Sequence, residues 1–134
     1  MTVLAEPWAG GVQYLYHFGG AVRAGAVLTA GPFGGVTIAR GTSGRLREWA
    51  TAYPVLSLRA TSGFEVELSP IGAALAIGDD FGAIYPSGQA LVGLARGRLQ
   101  LGSIVRVIRI AGGHGTGIGW WQWIPVRIGF TLGR

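Results

Sequence analysis

Hydrophobic and polar residues alternate along much of this chain with a period of two. In Val12-Gln13-Tyr14-Leu15-Tyr16-His17-Phe18 the even positions place Val, Tyr, Tyr and Phe on one side. Phe64-Glu65-Val66-Glu67-Leu68 is cleaner, and is expected to face Phe64, Val66 and Leu68 inward and Glu65 and Glu67 outward. Val55 to Ala60 precedes it across Thr61-Ser62-Gly63, a short glycine-bearing loop that predicts a hairpin. Further strands are predicted at Val36–Arg40, Ala90–Ala95, Ile104–Ile110 and Trp121–Leu132.

Turn signals such as Gly31-Pro32, Gly34-Gly35, Gly78-Asp79-Asp80, Pro86-Ser87-Gly88 and Gly112-Gly113 separate these runs at short intervals. That punctuation predicts an all-β fold, a small barrel or sandwich of short strands, rather than βαβ units. There is room for two short helical segments: Ser43 can cap Gly44 to Ala52, and Ser69-Pro70 can open a turn of helix ended by Gly78. Nothing marks a linker or repeat, so residues 1–134 are expected to form one β domain.

Composition changes the picture in one respect. Apolar residues make up 49% of the chain and charged residues only 13%, about half the usual share. A small monomer with so few charges has too little polar surface to cover itself, so apolar surface is expected to be buried against other chains in a homo-oligomer. No apolar run is long enough for a spanning helix, since Arg23 and glycines interrupt the longest candidate, Gly19 to Ala39. The N-terminus lacks the basic and apolar regions of a secretory signal. A transmembrane barrel stays open as an alternative, because its sequence signal is weak, but it would show a rhythm of ten-residue strands with polar lumen faces. No clean rhythm of that kind is visible, and no membrane partner is expected.

Chemistry is mostly excluded. There is no cysteine and no lysine, which removes disulfides, thiolate metal sites, Schiff bases and the P-loop lysine. The 11 arginines outnumber the 6 acids, for a net charge of +5, but they are scattered rather than clustered, so nucleic acid is not an expected partner. In Gly113-His114-Gly115-Thr116-Gly117-Ile118-Gly119 the glycines recur at every second residue, unlike a dinucleotide fingerprint, and Pro125 argues against a following helix. An extended connection between strands is the better reading. His17 and His114 have no companion ligands in the sequence, and Asp79-Asp80 reads as turn chemistry. No catalytic, cofactor or metal site is expected, and the chain is not read as an enzyme.

The C-terminal strand carries the candidate contact residues. Trp121 and Trp123 share one face of a strand and Trp120 lies on the other, while Phe130 adds a further large aromatic. Large aromatics carry most of the energy of a desolvated interface, and Arg127 can pair with acids across its rim. Exposed, Trp121 and Trp123 could instead stack on sugar rings in a lectin-like module.

Within Ser69 to Ile110, a small-residue strand ends in Gly78-Asp79 and is followed by a turn at Gly82. Next comes the strand Gln89-Ala90-Leu91-Val92-Gly93-Leu94-Ala95, then an alternating strand through Val105-Arg106-Val107 after Gly102. This order resembles the small β-barrel decoration, or cement, proteins of tailed-bacteriophage capsids, over about a third of the chain. The resemblance implies a non-enzymatic structural protein of the virion, made in the host cytoplasm and bound outside an icosahedral shell. Its implied partners are copies of itself, with a trimer favoured, and the major capsid protein. A phage tail or neck component is the alternative within the same class.

Overall fold

The computed structural model describes residues 1–7, 9–32, 46–78, 82–111 and 117–133. Eight strands follow one another: β1 (Thr2–Glu6), β2 (Ala9–Gly19), β3 (Val22–Pro32), β4 (Leu46–Arg59), β5 (Phe64–Gly78), β6 (Gly82–Arg96), β7 (Leu99–Ala111) and β8 (Gly117–Thr131). Each pairs antiparallel with its sequence neighbour, and β1 pairs with β8, so the sheet closes into a barrel. The all-β barrel expectation is met, and no described residue is helical.

The strands are strongly staggered. Hydrogen-bonded neighbours run from Thr2 to Gln13, Val27 and Tyr53. Beyond an irregularity in β4 the path continues from Gly72 through Ser87 and Ile108 to Trp120. Thr2 itself pairs with Thr131 at the opposite end of β8. Such an offset is the shear of a barrel whose strands are inclined to its axis.

One end carries short turns at residues 20–21, 60–63 and 97–98, and Met1 meets Leu132 there through a 2.9 Å backbone hydrogen bond. The predicted hairpin at Thr61-Ser62-Gly63 is present at this end. Gly63 adopts φ +92°, and a Cβ there would come within 2.4 Å of the Ala95 carbonyl oxygen, so only glycine fits. At the opposite end β3, β5 and β7 finish and β4, β6 and β8 begin.

Three register shifts coincide with prolines. Pro54 lies within the shift between Ala52 and Leu56, and Pro70 within that between Ser69 and Gly72. Pro125 lies opposite the shift between Gly102 and Ile104. A residue without an N–H is tolerated in a ladder where pairing is already interrupted. At two of these places consecutive residues point outward, Pro70 with Ile71 and Pro125 with Val126, and the alternation restarts in the opposite phase.

Two expectations need correction. The helix expected from Gly44 to Ala52 is strand from Leu46 onward, and the turn of helix from Ser69 to Gly78 is the second half of β5. Ladders on both flanks hold these segments extended, and Ala74 fits without exposure against the lumen, so small residues serve the sheet here. Ser43, Gly44 and the strand expected at Val36–Arg40 lie outside the described residues.

Candidate functional site: barrel wall and lumen

The faces of the barrel are reversed relative to a water-soluble protein. Glu65 and Glu67 are buried in the lumen, at 0% and 2% exposure, while Phe64 and Leu68 beside them are 46% exposed on the outer wall. This overturns the expectation that the glutamates face out. Apolar residues are exposed on the outer wall of every strand. Val3 of β1, Val12 and Tyr14 of β2, and Leu28 of β3 point outward, as do Leu56 and Leu58 of β4. So do Val92 and Leu94 of β6, Leu101, Val105 and Val107 of β7, and Ile128 and Phe130 of β8. Among the described side chains, none on the outer wall between the two ends is charged.

The lumen holds the polar groups. Glu67 accepts hydrogen bonds from Gln13 Nε2 at 2.8 Å, Gln100 Nε2 at 3.0 Å and Arg127 Nη2 at 2.5 Å. Glu65 accepts from Ser57 Oγ at 2.7 Å, Gln100 Nε2 at 2.9 Å and Arg59 Nη2 at 2.9 Å. Side chains from β2, β4, β5, β7 and β8 therefore meet across the bore. Carboxylates taken out of water need such partners, because an uncompensated buried charge costs several kcal/mol.

A second cluster surrounds Arg106. Its guanidinium donates to Gln89 Oε1 at 3.1 and 3.2 Å, reaches Glu6 Oε2 at 3.5 Å and lies 5.8 Å from the centre of the Tyr53 ring. Ser87 Oγ donates to the Val107 carbonyl at 2.9 Å, so the Tyr53 hydroxyl is the donor in its bond to Ser87 Oγ. Apolar clusters fill the space between: Leu4, Val27, Tyr53 and Val55 with Leu15 on one side, and Leu91, Ile104 and Ile124 on the other.

The residues singled out in the sequence separate. Trp123 projects from the outer wall at 62% exposure, its Nε1 donating to Ser103 Oγ at 2.9 Å, and Phe130 lies on the same wall. Arg127 is 1% exposed inside the lumen, so it occupies no rim of a surface contact. Trp120 and Trp121 pair with Ile108 and Val107 through their backbones, but their side chains fall outside the described set, as do His114, Asp79 and Asp80. His17 sits at the short-turn end, its Nε2 3.0 Å from the Gly20 carbonyl oxygen. Gly117 to Trp123 is strand, and residues 112–116 of the glycine stretch lie outside the described residues. Among the described residues no group of His, Asp and Glu could hold a metal ion.

Sequence reasoning missed the lumen set: Gln13, Glu65, Glu67, Gln89, Gln100, Arg106 and Arg127. The available signal was the alternation itself, in a chain too poor in charge to place its acids in water. No helix among the described residues is long and apolar enough to cross a membrane. Comparison with protein-family models, curated proteins and solved structures finds no match.

Proposed function

We propose that this chain is a membrane-spanning β-barrel whose lumen is filled by its own side chains, a structural element of a bilayer rather than a catalyst. The carrying observation is the reversal of faces: apolar residues point outward on all eight strands while carboxylates, amides and guanidinium groups point inward. In hydrocarbon every backbone group must be paired within the protein, and a closed sheet meets that demand. The seven strands from β2 to β8 run 11–15 residues, and a tilted strand needs about 9–11 to cross.

Aromatic residues support the same placement. Tyr16, Phe18 and Phe64 point outward near the short-turn end, and Tyr16 and Phe18 meet edge to face with ring centroids 5.1 Å apart. Amphipathic and aromatic rings collect at the boundary between hydrocarbon and headgroups.

A bilayer covers the whole circumference. A capsid surface, a trimer contact, a tail contact or a glycan touches one side and leaves the remaining apolar wall in water. The bilayer therefore takes the covering role first expected of a shell or of sister copies. The decisive experiment is refolding into phosphatidylcholine vesicles, read by protease protection and by quenching of tryptophan fluorescence with brominated lipid. The expected outcome is a protected β-sheet protein with Trp123 quenched. A protein that folds and stays soluble without lipid or detergent would overturn the reading.

A further inference from the structure

We propose that the short-turn end of the barrel binds the headgroups of anionic phospholipids, an inference that rests on the bilayer reading. The turn from β6 to β7 is Arg96-Gly97-Arg98, with Gly97 in the left-handed region at φ +58°. Both arginine side chains are exposed, and neither forms an ion pair among the described residues. The turn is held in place: Thr131 N donates to the Arg98 carbonyl and Ala95 N donates to the Gly63 carbonyl, each at 2.8 Å.

Three features favour a lipid as the occupant. Arg96 adjoins the apolar wall, since β6 pairs Leu94 with Phe64 and Arg96 with Leu99, so its charge stands where hydrocarbon gives way to headgroups. Arg23, half-buried at the mouth of the lumen, adds positive charge at the same end. The described carboxylates nearest this end, Glu65 and Glu67, are buried in the lumen and spend their charge on partners there. Among the described residues no carboxylate stands beside Arg96 and Arg98 on the outer rim, directly below a lipid-facing wall. A guanidinium pairs with phosphate oxygens through paired N–H donors.

The test uses the full chain reconstituted in discs of equal phosphatidylglycerol and phosphatidylcholine, with the lipids that stay bound after detergent extraction quantified by mass spectrometry. The expected result is enrichment of phosphatidylglycerol by about fivefold for each arginine engaged. Arg96→Gln with Arg98→Gln should bring retention back toward the supplied ratio, and the two lysine substitutions should keep most of the preference. Wild-type protein that enters the discs and retains both lipids equally overturns the inference while leaving the bilayer reading intact. Failure to enter the discs removes both. If millimolar inorganic phosphate strips the enrichment, the rim is a soluble-phosphate site and the lipid assignment falls.

Discussion

Arg127 Nη2 lies 2.5 Å from Glu67 Oε2, and this ion pair joins β8 to β5 across the interior of the barrel with both side chains almost wholly shielded from solvent. The pair is not saturated. Arg127 Nε and Nη1 are buried without a protein partner, so the lumen already bears a desolvation cost.

The two partners should therefore depend on each other. Arg127→Met leaves Glu67 charged among amides and should destabilise the barrel by about 3–5 kcal/mol. Adding Glu67→Gln to that variant should restore a good part of the loss, because the orphaned charge is gone. Urea unfolding of the four proteins in vesicles measures the coupling. Simple additivity of the two single effects would show that the pair does not act as a unit.

The outer wall should punish charge according to depth. Val105 lies at the middle of β7 and Leu99 at its end, both about half-exposed on the outside. Val105→Arg should cost about 2–4 kcal/mol of folding stability in a bilayer and Leu99→Arg about 0–1 kcal/mol. Equal costs in the two positions would contradict a membrane belt.

Gly63 should not accept a side chain. Gly63→Ala combines a positive φ with a contact on the Ala95 carbonyl, and should lower stability by more than about 1 kcal/mol. Thermal unfolding in detergent, compared with Gly133→Ala, provides the measurement. Gly133 also has positive φ but no neighbour within 4 Å of a Cβ, so the difference between the two variants isolates the backbone contact.

The lumen should not conduct. Gln13, Glu67 and Arg127 bridge its walls from β2, β5 and β8, and Gln100 enters the same network from β7. Wild-type protein in a planar bilayer should give no steady ion current. Regular single-channel steps would mean that this bridge opens spontaneously.

The alternation along the chain and the hairpin at Thr61-Ser62-Gly63 were legible in the sequence because both are local. Which face is inside was not, because period two says only that residues share a side; the solvent decides which side is buried. Reading Phe64-Glu65-Val66-Glu67-Leu68 with water outside inverts every residue of it. The rhythm of long strands, which the expectation of short ones overlooked, is hidden at Pro70-Ile71 and Pro125-Val126, where two successive outward residues reset the phase. The partners of Glu65 and Glu67 were illegible for another reason. Gln100 and Arg127 are brought to them by shear and register, which depend on closure of the whole sheet.

That closure rests on little. β1 contributes five residues, and its register with β8 holds four pairs, from Thr2 with Thr131 to Ala5 with Ile128. These pairs join the most distant parts of the chain, and ordering the intervening polypeptide must come before they can form. Assembly should thus proceed as a growing curved sheet of successive hairpins, with the seam between the first and last strands zipped at the end. The same seam should be the first to part under force or heat. A cross-link between Thr2 and Thr131, whose hydroxyls already stand 3.1 Å apart, would then slow unfolding far more than it alters the rate of folding.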